Sequence, residues 1–454
     1  MQKIIIENFG PVKNAEIEIT PLLVLIGEQA TGKSTIAKLI YFFKTLSDEF
    51  LTRSFARQDD ENTNTDLLYK RLFFSIIRRK FLDFFGSPTR MSDFKIHYQY
   101  NKEKYITISK TNIRMSVKFS DDFFGKEQLT EFSKAQRALF DFRKDMENEG
   151  FSINNFVFET LQKNAFDVCT RIINNMFCNT HNDSLYVVAG RNATVGYSNF
   201  YEGMLAANLQ NKMEGSIKLK SQTIDETLML EFLQHVSDMR KLLNKSGNFE
   251  GIIKDSPKEK KDILTLANSL ILKVIRGNYS SGIDEKIIIE KGKQTVFLRN
   301  ASSGQQESIR ILQDAFIAIN SDNNVFRIIE EPEAHIFPEA QMYMLELLAM
   351  LLNNKEENQM IITTHSPYVL TVINNLMYAY KVGQKNPEKA GEIVNKHSWL
   401  APEKVNAYML TAANGAERII DDELGMIKAE RIDEVSRTLN EDYDKLLDIE
   451  YEKE

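Results

Sequence analysis

Residues 22–26, Leu-Leu-Val-Leu-Ile, are an unbroken apolar run of strand length. After a polar, glycine-containing stretch the apolar positions return at helical spacing, as Ile36, Leu39, Ile40 and Phe43. A strand covered on both faces reads as a continuous run, and a helix with one face on a core reads as a period of three and four. The pattern therefore predicts strand, loop and helix over 22–43. Two further short runs, Phe326 with Ile328 and Ile329, and "NQMIITT" at 358–364, predict more strands of the same buried kind. Segment 94–119 instead alternates Tyr, Ile and Val with polar residues around "NKEK", which predicts an antiparallel meander attached to the main sheet. Residues 127–178 read as mostly helical. A helix over 224–244 is announced by Thr223 and Glu226 as a capping box and by the stripe Leu228, Phe232, Val236, Met239 and Leu243. Another runs over 257–276, from Ser256-Pro257 to the residue before Gly277.

Alternating strands and helices make this an α/β chain. Its 454 residues suffice for one large domain or two ordinary ones, and 43% hydrophobic with 27% charged content is that of a globular protein. The net charge of -7 argues against a wholly basic surface that coats nucleic acid. The two cysteines, Cys169 and Cys178, match neither a zinc site nor a disulfide framework, so a reducing cytoplasm is expected. No apolar stretch approaches the ~20 residues that cross a bilayer.

The loop at 27–34 changes the picture. Gly27, Gly32, Lys33 and Ser34 fill every fixed position of G-x-x-x-x-G-K-[ST], between strand and helix as that pattern requires. Glycines let the loop close around phosphates, and the helix N-terminus adds partial positive charge. Gln29, Ala30, Thr31 and Thr35 complete the expected nucleotide-binding segment, with Lys33 toward the β- and γ-phosphates and Ser34 on Mg²⁺. This gives Glu330 and Glu331 a purpose. An acid at the end of a second buried strand completes the metal site of such proteins. Glu330 is the candidate ligand, and Glu331 is the candidate group that polarises the attacking water. Pro332 ends the strand.

Two more stretches narrow the class. In "ASSGQQE", Ser302, Ser303, Gly304 and Gln305 precede a helix with Ile309, Leu312 and Phe316 on one face, a second anion-binding arrangement. His365 follows the strand 358–364, at the edge where α/β proteins bind ligands. Taken in order, these segments resemble the ATP-binding-cassette type of ATPase, in its SMC-, RecF- and OLD-like branch. "ENFGPVKNAEIEI", with Asn8, Phe9 and Gly10, is similar to that branch's opening hairpin, "ASSGQQE" to the cassette signature, and "EEPEAHIFPEAQ" to its acidic motif and D-loop. Glu330 stands where Asp is usual, Ser303 where the signature has its first glycine, and no Gln marks a Q-loop. "LYVVAGRNA" at 185–193 takes that place in this reading, with Arg191 either a phosphate or lid contact or a surface arginine at a strand end.

The resemblance implies a P-loop NTPase of the cassette type, a mixed sheet core plus a β meander, with the ATPase split over 1–120 and 281–454 around a mostly helical insert at 121–280 that holds a short strand near 185–190. It implies ATP and Mg²⁺ as cofactors, His365 as the sensor of the γ-phosphate, and a homodimer or larger homo-oligomer in which each signature caps the neighbour's ATP. Stand-alone ATPases of this branch resemble sensor or scaffold subunits of anti-phage systems such as Septu and PARIS, where a separate nuclease acts. The 84 residues after 370, with Asp421, Asp422 and Glu423 in a strand–turn, are too few for an OLD-type nuclease domain. A RecF- or SMC-like clamp on DNA is the other reading. For it, Lys70, Arg71, Arg78, Arg79 and Lys80 would meet a phosphate backbone, unless they are a solvated helix face. The Glu-Glu-Pro-Glu form and the helical insert argue against a transporter subunit.

Overall fold

The chain opens with a hairpin of β1 (Gln2–Phe9) and β2 (Val12–Ile19), which opposes Phe9 to Val12 around Asn8 and Gly10 at positive φ. Strand β3 (Leu22–Gly27) follows, buried from Leu22 to Ile26. The computed structural model describes residues 2–55, 65–149, 155–196, 223–282, 284–289, 294–412, 415–428 and 440–447. The expected meander forms as β4 (Phe94–Gln99), β5 (Tyr105–Thr111) and β6 (Arg114–Phe119), but its attachment differs from expectation. It does not join the main sheet. Strand β4 pairs with β1, so hairpin and meander make their own five-stranded sheet, ordered β2-β1-β4-β5-β6. The alternating burial of β4 suits a sheet covered on one face, whereas the main sheet takes strands buried on both.

The short strand expected near 185–190 forms as β7 (Asp183–Val187). It lies inside 121–280 yet pairs in parallel with a strand of the ATPase core, so the helical insert is interrupted by a core element. The insert's helices are Lys126–Glu149, Asn155–Phe177, Ile224–Ser246, Asn248–Asp255 and Lys258–Ile275, and the capping box of Thr223 with Glu226 is formed. Strands β8 (Asn278–Ser280), β9 (Lys286–Ile289) and β10 (Gln294–Phe297) make a small antiparallel sheet.

The central sheet is completed by β11 (Val325–Glu330), β12 (Gln359–Thr364), β13 (Val405–Thr411) and β14 (Gly415–Arg418). Its order is β14-β13-β3-β12-β11-β7, parallel throughout except for β14. Parallel strands all end on one edge. The register sets Thr364 beside Ile26, Glu330 beside Thr363 and Val187 beside Ile329, so the loops after β3, β7, β11 and β12 leave the sheet together. Such an edge, at the carboxyl ends of the strands, is where open α/β sheets bind ligands.

Candidate nucleotide site

Gly27 closes β3 at φ 153°, and a Cβ there would lie 2.2 Å from the Leu410 carbonyl oxygen, so β13 leaves room only for glycine. Glu28, Gln29 and Ala30 are exposed, with Ala30 at φ 61°, and the Thr31 hydroxyl donates to Glu28 O at 2.8 Å. Lys33 arches back over this loop and donates from Nζ to Gly27 O at 2.8 Å and Glu28 O at 2.7 Å. Burial pushes its ammonium below the usual lysine range, while Glu331, Glu333 and Glu330 pull the other way. Ser34 and Thr35 are half-buried in the first turn of helix Lys33–Lys44, whose leading N–H groups have no partner within the helix. The loop therefore offers inward N–H groups, a helix N-terminus and a cation on one spot.

Glu330 is buried and oriented by two donors, Tyr186 Oη to Oε1 at 2.7 Å and Ala189 N to Oε2 at 3.0 Å. Each carboxylate oxygen keeps a further lone pair. A carboxylate fixed by outer hydrogen bonds, with the Ser34 hydroxyl as the second donor, is the hard-oxygen set that Mg²⁺ takes, so these residues fit that ion. Glu331 is bent outward at φ 44°, a costly conformation for a residue with a side chain. Its N–H donates to Thr363 O at 2.8 Å, and its carboxylate, 41% exposed, lies 3.6 Å from His365 Nε2. The expected metal ligand, water-polarising acid, P-loop lysine and switch histidine thus meet at one edge.

Glu333 has no role in the motif pattern of the sequence, yet it holds two loops of the site together. Its Oε1 accepts from Thr364 Oγ1 at 2.6 Å and from His365 N at 3.0 Å, tying the loop of the acidic pair to the loop of the histidine. Its identity as a third acid in "EEPE" was the signal. Arg191 requires a correction. It is neither a surface arginine nor exposed to a phosphate, because its side chain is wholly buried and its N–H groups are spent on backbone carbonyls. Residues 185–189, in contrast, reach the Glu330 carboxylate directly through Tyr186 and Ala189.

Ser302 caps helix Ser303–Asn320 in a capping box with Gln305, whose Nε2 also donates to Ile275 O at 2.7 Å. Ser302 and Ser303 are exposed, while Gly304 is buried against the loop that follows the acidic pair. The basic run at 70–80 divides. Lys70, Arg71, Arg78 and Arg79 are exposed on helix Thr65–Phe85, but Lys80 is buried and donates to Thr45 O and Oγ1, so it leaves the expected basic face.

The AAA_15 family, described as an AAA ATPase domain, matches residues 1–370. The chain belongs to this family. That membership agrees with the P-loop, the acidic pair and the histidine on one sheet edge and with the expected SMC-, RecF- and OLD-like branch of cassette-type ATPases. No curated protein matches this AAA ATPase chain. Similar solved structures include an SMC head bound to the C-winged helix domain of ScpA, at 12% identity and TM-score 0.36, covering 82% of this chain and 90% of that one. The SMC head domain from Thermotoga maritima has 11% identity, TM-score 0.31 and the same coverage of 82% and 90%. The recombination mediator protein RecF has 12% identity and TM-score 0.27, covering 92% and 97%. Among the described residues of the AAA ATPase, no helix is long and apolar enough to cross a membrane.

Proposed function

We propose that the chain hydrolyses ATP with Mg²⁺ as a homodimer or larger homo-oligomer. Each copy covers, with Ser302, Ser303, Gly304 and Gln305, the nucleotide held by another copy's P-loop. The observation that supports this is the exposed serine pair at the start of an 18-residue helix, in a chain with one P-loop and one such element. Lys33 and the helix N-terminus hold the phosphates, and Ser34 with Glu330 holds the metal, which neutralises phosphate charge when bound. Glu331 orients or deprotonates the attacking water, and His365 beside it reads the γ-phosphate. Ser302 of the other copy stabilises charge on the transferred group.

In this reading the ATPase is the sensor or scaffold subunit of an anti-phage system and controls a separate effector nuclease. It is supported by the use of residues 405–411 and 415–418 as strands of the ATPase sheet rather than as a second catalytic unit. A second reading, a RecF- or SMC-like clamp on duplex DNA, is favoured by the exposed Lys70, Arg71, Arg78 and Arg79.

The experiment is light scattering and turnover on wild type, Glu331→Gln and Lys33→Ala. Glu331→Gln is expected to lose at least ~100-fold in turnover, the usual contribution of a general base, and to keep ATP affinity. With ATP it is expected to double in mass; Lys33→Ala should lose ATP affinity. A Glu331→Gln protein that stays monomeric with ATP bound refutes the shared site. Cleavage of DNA or RNA by the chain alone refutes the separate effector, and ATP-dependent duplex binding with a steep salt slope selects the clamp.

A further inference from the structure

Arg191 lies in the turn after β7, and its guanidinium reaches three separate segments. Nε donates to Glu307 O at 2.8 Å, Nη1 to Glu330 O at 2.8 Å and Val188 O at 3.2 Å, and Nη2 to Glu331 O at 2.8 Å. Glu307 belongs to the helix that Ser302 caps, and its Oε2 lies 3.5 Å from Arg191 Nε. Burying a guanidinium is costly, and here most of its hydrogen bonds go to neutral carbonyls rather than to a carboxylate. What those bonds fix is therefore informative. Glu330 O belongs to the peptide before Glu331, and Glu331 O to the peptide after it. Holding both sets the backbone torsions of Glu331, including its φ of 44°, and so the direction in which its side chain leaves the strand. A planar, pre-formed fork can do this; a point-charge ammonium with three donors cannot serve four divergent carbonyls.

We propose that Arg191 is the positioning residue of the hydrolytic site, holding the bent backbone that aims Glu331 toward His365 and anchoring it to the helix of Ser302. Wholly buried, Arg191 acts only through Glu331. The turn that carries it is itself pinned, by Thr194 Oγ1 donating to Arg191 O at 2.7 Å and by Arg310 Nε donating to Thr194 Oγ1 at 3.4 Å. This inference rests on the reading of Glu331 as the water-activating group.

The test is turnover per titrated ATP site for Arg191→Met and Arg191→Lys, each in the wild-type and Glu331→Gln backgrounds, with ATP affinity measured in parallel. Misaiming a catalytic group by about 1 Å costs on the order of 100-fold, so Arg191→Met should lose roughly that with ATP affinity unchanged. Arg191→Lys should recover only part of it. In the Glu331→Gln background, Arg191→Met should cost nothing further, because the group it aims is already gone. Wild-type turnover in folded Arg191→Met, or equal losses in both backgrounds, overturns the proposal. Should the Arg191 variants not fold, Thr194→Ala loosens the same turn. A several-fold loss of turnover at constant affinity supports the proposal, and unchanged turnover overturns it. A Glu331→Gln protein with wild-type turnover would instead remove the role of Glu331 itself, a distinguishable failure.

Discussion

At Gly304 a methyl group would fall 2.5 Å from His335 O, and His335 sits at φ 59° in the loop just past Glu331 and Glu333. Even the smallest side chain would push the helix of Ser302 off that loop. Gly304→Ala is expected to cost about 1–3 kcal/mol, as overpacked sites do, read as a lower denaturant midpoint. Turnover should fall while ATP affinity stays, because the P-loop is untouched. Residues of this kind divide by how far their meaning travels. Gly27 to Ser34 could be read from eight consecutive letters, since a phosphate cradle is local backbone geometry. Glu330 and Glu331 could be read because a strand pattern ended on them. Arg191 could not. Its carbonyl partners on Glu307, Glu330 and Glu331 lie 116, 139 and 140 residues away, and nothing beside it in the chain announces them.

Helix Ser303–Asn320 does more than present two serines. Arg310 on it makes a two-pronged pair with Glu285 at 2.6 and 2.7 Å, next to the small sheet of β8 to β10. One turn on, Asp314 pairs with Arg327 of β11 at 2.8 Å and accepts from His235 Nε2 at 2.8 Å. Arg327 in turn reaches Asp183 at the start of β7 at 2.7 Å. Arg310→Met would leave Glu285 with Arg240, 3.4 Å away, as its remaining cationic partner beside the Tyr279 hydroxyl that donates to it. Breaking such a buried pair costs about 3–5 kcal/mol, and chemical denaturation of the variant should show it. The elements themselves were readable where local chemistry defines them, as with Thr223 and Glu226 at a helix start. Their partners were not. The sheet that β4 joins, and the core place of β7, depend on pairings across distant segments that alternation alone does not specify.

Across the molecule these buried pairs set the response to acid. Burial opposes the Glu285 carboxylate, but Arg310 and Arg240 overcome it and hold its pKa down to about 2. Asp314 is likewise held below the usual range, against burial, by Arg327 and His235. Unfolded carboxylates take up protons near pH ~4, so below that value the unfolded chain binds more protons than the folded one. The stability from these pairs is complete above about pH 4.5 and is lost as pH falls toward about 2. A melting series from pH 7 to pH 3 should therefore drop most steeply below about 4.5. A curve flat to pH 3 would count against these pairs as charged.

Strand β3 lies between β12 and β13, and the shape of its last glycine is dictated by Leu410. A ribosome therefore releases the P-loop long before either neighbour of the strand that carries it. At ~5–20 residues per second, translation leaves that segment without its flanks for tens of seconds. The strand that carries the P-loop gains its two flanks only once residues 359–364 and 405–411 have emerged. During that interval the nascent chain holds a fully apolar strand open to chaperones, and a ribosome stalled anywhere before 405 would yield a product whose P-loop strand lacks one of its two neighbours.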